Sequence, residues 1–221
     1  MKAIQTWLLL SLACLIMTAC AFRAPLTLTP INSPNERLQF EGFSILPPNG
    51  QNWFISKGGP PDKRWTVLVG FAKKLRDKPV NPAQAEMNFA LVKTRSLAHL
   101  PATKPDEILR YLAQELENEN KLGPEPGISN FYAVTYIEKY QGHDCVRYQI
   151  YYEVDNWRPF PGYVFVMETK GYLFTHPDSP TTVIGLEYDQ RYLKGEKPYP
   201  LEPEVEPFLE SLEFTSLGRP T

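Results

Sequence analysis

Histidine, cysteine and acidic side chains come closest together at Gly142-His143-Asp144-Cys145. A thiol beside an imidazole could act as a nucleophile, because an imidazolium lowers the thiol's pKa and the thiolate is the reactive form. Adjacent residues on a turn and an opening strand point different ways, however, and the sequence offers no third group to orient the ring. The favoured reading is a turn leading into a strand with one half-buried cysteine. A thiol or metal-assisted hydrolase using His143, Asp144 and Cys145 is the alternative. His99, His143 and His176 are the only histidines. They form no i, i+4 pair and no CxxC accompanies them, so a metal set would require His143, Asp144 and His176 to meet in space. GxSxG, GxxxxGK[ST] and GxGxxG are all missing. No catalytic residue, metal or cofactor is assigned.

Binding chemistry is better represented. Asn156-Trp157-Arg158-Pro159-Phe160-Pro161-Gly162 places Trp157, Arg158 and Phe160 in a loop where no strand periodicity buries them. Tryptophan and arginine dominate binding hot spots, so these three are the candidate contact residues, against the plainer reading of a loop folded down on the core. Trp53 and Trp65, on either side of a Gly-Pro turn, raise the same question. Tyr148, Tyr152, Tyr163, Phe165, Tyr172, Phe174 and Tyr188 read mostly as core or cross-strand pairs. Glu115, Glu117 and Glu119 read as a solvated helix flank, and Glu202, Glu204, Glu206 and Glu210 as negative charge around a helix start.

The first twenty residues, MKAIQTWLLLSLACLIMTAC, set where this chemistry operates. Lys2 is a minimal basic region, and Trp7 to Met17 is apolar except for Ser11, within the roughly 7 to 15 residues of a signal-peptide core. Including Ile4 and Ala21, the run barely matches the roughly 20 residues needed to span a bilayer, so cleavage is expected. Met17-Thr18-Ala19-Cys20 resembles the lipobox of bacterial lipoproteins, with methionine in place of the usual leucine. Cys14 fits less well, because Leu12 stands where a small residue is wanted. The resemblance implies that the Cys20 thiol takes a diacylglycerol, that the chain is cut before it, and that the new amino terminus is acylated. Each buried methylene contributes about 0.8 kcal/mol, so two or more such chains give lasting attachment to the lipid bilayer. Ala21 stands where an aspartate would resemble an inner-membrane retention signal, so the expected place is the outer membrane of the cell envelope, facing the periplasm. The plainer alternative is an ordinary secretory signal with a coincidental cysteine. With residues 1–19 removed and Cys20 acylated, Cys145 is the one remaining thiol and no disulfide scaffold is possible.

Of 221 residues, 43% are hydrophobic and 13% aromatic, too many for a disordered chain. Lys and Arg number 23 against 25 Asp and Glu, which leaves no basic face for nucleic acid. The 22 prolines beside 13 glycines suggest short segments between stiff turns. Residues 20–37, with three prolines and no periodicity, read as a lipidated tether. Residues 38–215 have the size of one domain, and 216–221 form a tail.

Within the domain, Phe43–Leu46 and Asn52–Ser56 read as a first hairpin. Strands follow at 65–71 and 87–94, separated by the loop DKPVNPAQ. In Asp106–Glu119, Ile108, Leu109, Leu112 and Leu116 make one apolar helical stripe, with Thr103 as cap and Gly123-Pro124 as stop. Phe131–Tyr140 and Asp144–Asp155 make a long hairpin around Gln141-Gly142-His143. Val146, Tyr148, Ile150, Tyr152 and Val154 alternate there with a wetter set. Lys170-Gly171 reads as a two-residue turn between Tyr163–Thr169 and Tyr172–His176. A strand at Thr182–Leu193 and a helix at Glu204–Leu212 close the domain, the helix burying Val205, Phe208, Leu209 and Leu212.

Strands in the majority, short turns and one-striped helices predict an α+β fold: an antiparallel β-sheet with a mid-chain helix and a C-terminal helix packed on it. The opening GFSILPPNGQNWF, the mid-chain helix, the antiparallel run and the closing FLESLEF resemble PsbP-like domains over about residues 40–215. That resemblance implies accessory or binding roles, with an envelope protein or membrane complex as partner. The function expected is that of a membrane-anchored, non-enzymatic binding or accessory domain.

Overall fold

The computed structural model describes residues 28–57, 64–76, 78–101, 104–119, 127–155 and 159–217. Cys20 and residues 1–19, most of the expected tether, Thr103, Gly123-Pro124, Trp157, Arg158 and the end of the tail lie outside the described residues.

The fold is α+β. In chain order come β1 (Leu28–Pro30), β2 (Leu38–Phe40), β3 (Phe43–Ile45), β4 (Trp53–Lys57), β5 (Thr66–Lys73), β6 (Met87–Ser96), α1 (Pro105–Glu119), β7 (Ile128–Tyr140), β8 (His143–Val154), β9 (Phe165–His176), β10 (Ser179–Leu193), α2 (Glu202–Leu209) and β11 (Glu213–Phe214). Eight strands form one antiparallel sheet in the order β1-β4-β5-β6-β10-β9-β8-β7, and β11-β3-β2 form a small second sheet. Although Cys145 and Glu153, on the face expected to be wetter, are buried, the mid-chain hairpin forms as expected. Its turn has positive φ at both Gln141 (53°) and Gly142 (83°), the conformation that matches the strands' twist.

Side chains alternate across the large sheet, and each face has its own cover. On one face Val146, Tyr148, Leu173 and Val183 meet Ile108, Leu109, Leu112 and Ala113 of α1. On the other, Trp53, Phe71, Val92, Cys145, Phe174, Ile184 and Leu186 meet Val205, Phe208 and Leu209 of α2 and Phe43 and Ile45 of the small sheet. Both helical stripes expected from the spacing are the ones buried, although Leu212 packs just beyond the end of α2.

Three expectations are corrected. Lys170-Gly171 is no turn: β9 runs unbroken from Phe165 to His176, and the chain reverses at Pro177-Asp178. Glycine is needed at 171 because Tyr148 on β8 reaches across that position to donate its hydroxyl hydrogen to Glu187 on β10. A Cβ there would lie 2.9 Å from the Tyr148 oxygen and 2.6 Å from the Leu186 carbonyl oxygen. Second, β3 and β4 do not pair, since β3 joins β2 and β11 while β4 joins β1 and β5. Pro47 and Pro48 have no N–H for a ladder and carry the chain between the sheets, while Leu46 N donates to Ser211 Oγ at 2.7 Å. Third, part of the expected tether is folded. Leu28–Pro30 pairs with β4, and Arg37 donates to the carbonyls of Ser44 (3.1 Å) and Ser211.

Candidate functional site

The covers leave unequal gaps. Between α1 and the sheet a cavity of about 110 Å³ remains, and between α2 and the sheet a cleft of about 340 Å³. Register explains the cleft. Leu186, Tyr172, Arg147 and Tyr136 form one row across β10, β9, β8 and β7, and Tyr188, Lys170, Gln149 and Val134 form the next. Each row starts under α2 and runs out past it, so it passes from buried apolar or aromatic groups to polar and then exposed ones. Val205, Glu206 and Leu209 of α2 make the opposite wall, and Tyr140 joins from the end of β7.

The rings in the cleft are fixed by one another. Tyr140 stacks on Tyr172 at 4.1 Å between centroids, and the Arg147 guanidinium sits 4.7 Å over Tyr136. Arg147 also pairs with Glu138 at 3.2 Å, and Lys170 with Glu202 at 2.5 Å. Tyr188 donates to the same Glu202 oxygen at 3.2 Å. Burial pushes all three inner hydroxyls above the ordinary tyrosine value, helped by Tyr172 and Glu210 at Tyr140 and by Glu202 at Tyr188. At neutral pH they are uncharged donors. Hydrogen bonds from Lys170, its charge and Tyr188 hold the Glu202 carboxyl below its usual range. The cleft therefore offers aromatic faces, neutral hydroxyls, the Gln149 amide and locally paired charges. These groups suit reversible binding.

The N-terminus of α2 is anchored beside the cleft. Glu204 accepts from Lys73 Nζ at 2.5 Å, from Trp53 Nε1 at 2.7 Å and from the Tyr199 hydroxyl. Burial alone would raise the Glu204 pKa, but these three donors hold it low. Trp53, flagged as a possible contact residue, is buried here as a donor to α2.

The residues considered for catalysis are buried, paired or packed against Phe214. Cys145 has no exposed surface, its Sγ lies 3.6 Å from the Glu138 carbonyl oxygen, and burial with Glu138 and Asp144 pushes the thiol up to about 12. Asp144 points to the opposite face of β8 and pairs with Lys139 at 3.5 Å. The His143 ring packs edge-on against Phe214, 4.7 Å away. His176 packs edge-on against the same ring at 5.3 Å, but its nitrogens are committed: Nδ1 accepts from Asp178 N at 3.1 Å, so Nε2–H donates to the carbonyls of Gly42 (2.8 Å) and Thr215 (3.1 Å). Among the described residues, no group of three His, Cys, Asp or Glu side chains is placed to hold a metal ion.

Phe160 is half-buried; its expected companions Trp157 and Arg158 lie outside the described residues. Trp65 is half-buried, with Lys93 Nζ 4.7 Å from its ring centre. Glu115 and Glu117 are engaged rather than merely solvated. Glu115 pairs with Arg95 at 2.6 Å, and Glu117 accepts from Thr135 at 2.7 Å. Sequence reading missed the cleft. The available signal was the wetter set on β8, where Arg147 and Gln149 recur at strand spacing opposite tyrosine and lysine on β9.

No protein-family model matches the chain, and no curated protein does. Among solved structures it is similar to LpqN, involved in cell envelope biogenesis of Mycobacterium tuberculosis. Identity there is 15%, over 87% of this chain and 93% of that one, with a TM-score of 0.41. No helix among the described residues is long and apolar enough to cross a membrane.

Proposed function

We propose that this chain is a lipid-anchored accessory domain of the bacterial envelope, held to the membrane through acylated Cys20, that binds its ligand in the tyrosine-lined cleft under α2 without catalysing a reaction. The open 340 Å³ cleft carries the reading, because it joins neutral tyrosine hydroxyls and aromatic faces to paired charges, while the Cys145 thiol is buried outside it. A site of that size, mostly preformed and with a few convergent polar groups, is the ordinary form of a small-ligand pocket.

Two measurements on the full chain in bacterial cells test it. Palmitate label should be lost in Cys20→Ser, and label retained there contradicts the anchor. A benzophenone side chain installed at Glu206, on the exposed lip of α2, should give a light-dependent adduct that Gln149→Trp removes by filling the cleft. Cys145→Ser should leave that adduct intact. Loss of the adduct in a normally folded Cys145→Ser variant would favour the thiol chemistry instead.

A further inference from the structure

The cleft is one end of a longer surface. Beyond the two rows that form it, Gln190, Glu168, Tyr151 and Tyr132 make a third row on the same face of the sheet. Tyr136, Val134 and Tyr132 of β7 belong one to each row and are 51%, 37% and 44% exposed. From Tyr136 to Tyr132 the strand rises about 13 Å. Aromatic pairs stand at both ends of this platform. At the cleft end Tyr140 stacks on Tyr172, with 18° between the ring planes. At the far end Tyr132 stacks on Tyr151, with ring centres 5.0 Å apart and 15° between the planes. A ring in such a pair gives one face to its partner and keeps the other.

Polar groups fill the middle, and their charges cancel in place. Arg147 pairs with Glu138 at 3.2 Å and Lys170 with Glu202 at 2.5 Å, and the Gln149 amide beside them is neutral. Glu206 on the lip of α2 and Glu168 in the third row add negative charge at the margins, where an anionic ligand would be repelled. A cationic ligand would meet Arg147 and Lys170 at the centre. An acyl chain would cover Arg147, Gln149 and Lys170 without giving them partners, at a cost in desolvation. A sugar matches every part. Its C–H groups carry slight positive charge and pack on the negative face of an aromatic ring, while its hydroxyls donate to carboxylates and accept from amide, guanidinium and ammonium groups. We propose that the cleft and the platform together bind an uncharged glycan of several sugar residues, with Tyr132 and Tyr151 forming its outer subsite. This rests on the cleft being a binding site, and adds the class of ligand and the second subsite.

The composition of the adduct formed by benzophenone at Glu206, in the full chain in bacterial cells, tests the ligand class. Acid hydrolysis of the purified adduct should release more than one sugar residue per chain, without phosphate or uronic acid. An adduct made of protein, phospholipid or acidic glycan would overturn the uncharged glycan and leave the cleft standing as a binding site. No adduct at all would overturn both. Tyr132→Ala should cut the adduct yield severalfold at an unchanged melting temperature, and Tyr132→Phe, which keeps the ring, should hold the yield near wild type. Ile137→Ala should leave the yield unchanged, because Ile137 is 52% exposed on the opposite face of the same strand. Equal yields in Tyr132→Ala and Ile137→Ala, or a loss in Tyr132→Phe as deep as in Tyr132→Ala, would overturn the outer subsite.

Discussion

The sheet carries one helix on each face, and the two helices leave different surfaces behind. With 15 residues, α1 is about 22 Å long and packs across β7, β8, β9 and β10. Under it the sheet's charges are closed in. Lys93 pairs with Glu187 at 2.5 Å, Tyr148 donates to the same carboxylate, and Arg95 reaches Glu115. With eight residues, α2 is about 12 Å long, or roughly the spacing of two to three strands, and it packs chiefly on β10. The middle of β8 and β7, around Arg147, Gln149, Tyr136 and Val134, is left more open on that side, and the cleft opens where the helix stops. The lesson is one of reach: the same sheet becomes a closed core where its helix spans it and a binding surface where its helix falls short.

If that contrast is right, stability should live under α1 and be nearly indifferent to the cleft. Lys93→Met has the largest expected effect, because it strands the mostly buried Glu187 carboxylate and should cost about 3 to 5 kcal/mol in urea unfolding. Restoring most of that loss by adding Glu187→Leu would show that the stranded charge, and not lost packing, is responsible. Gly171→Ala comes next. Its Cβ meets a backbone carbonyl and the Tyr148 hydroxyl, and overpacking of this kind costs about 1 to 3 kcal/mol.

A pH profile sharpens the comparison further. Burial and the neighbouring Glu187 push Asp189, which accepts from Thr169 at 2.5 Å, up to about 7. An unfolded aspartate titrates near 3.9, so between about 4 and 7 the folded chain holds a proton that the unfolded chain has lost. Stability contributed by this group therefore falls as pH rises through that window and is level above it. Asp189→Asn should remove the slope and make the protein more stable at pH 8 than the wild type. Glu204 at the start of α2 has the opposite sign, since its lowered pKa stabilises the fold above the unfolded value and is lost in acid.

The smallest effect is expected in the cleft. Lys170→Ala breaks a solvent-screened pair whose side chains are 35% and 67% exposed, worth about 1 kcal/mol at most. A cleft variant as costly as Lys93→Met would erase the distinction between the two faces.

What could be read from sequence was local. The stripe of Ile108, Leu109 and Leu112, the stripe of Val205, Phe208 and Leu209, and the Gln141-Gly142 turn each depend on residues within a few positions of one another, so periodicity and turn chemistry reveal them. The misread features depend on distant partners. Gly171 looks like a turn until Tyr148 and Glu187 are seen to meet across it, and Phe43–Ile45 looks like half of a hairpin until β11 arrives 168 residues later to pair with it. Glu115 looks solvated because its partner, Arg95, lies on β6 rather than on its own helix. The cleft was hidden for the same reason. Arg147 and Gln149 mark a wet strand face, but only the short reach of α2 turns that face into a site.

Carboxyl footprinting of the full chain in membranes, with and without total envelope extract, tests the central claim most directly. Glu206 lies exposed at the cleft, and Glu107 lies exposed on α1. The account predicts that extract slows modification of Glu206 severalfold and leaves Glu107 unchanged. Equal rates at both positions, or protection of Glu107 alone, would contradict it.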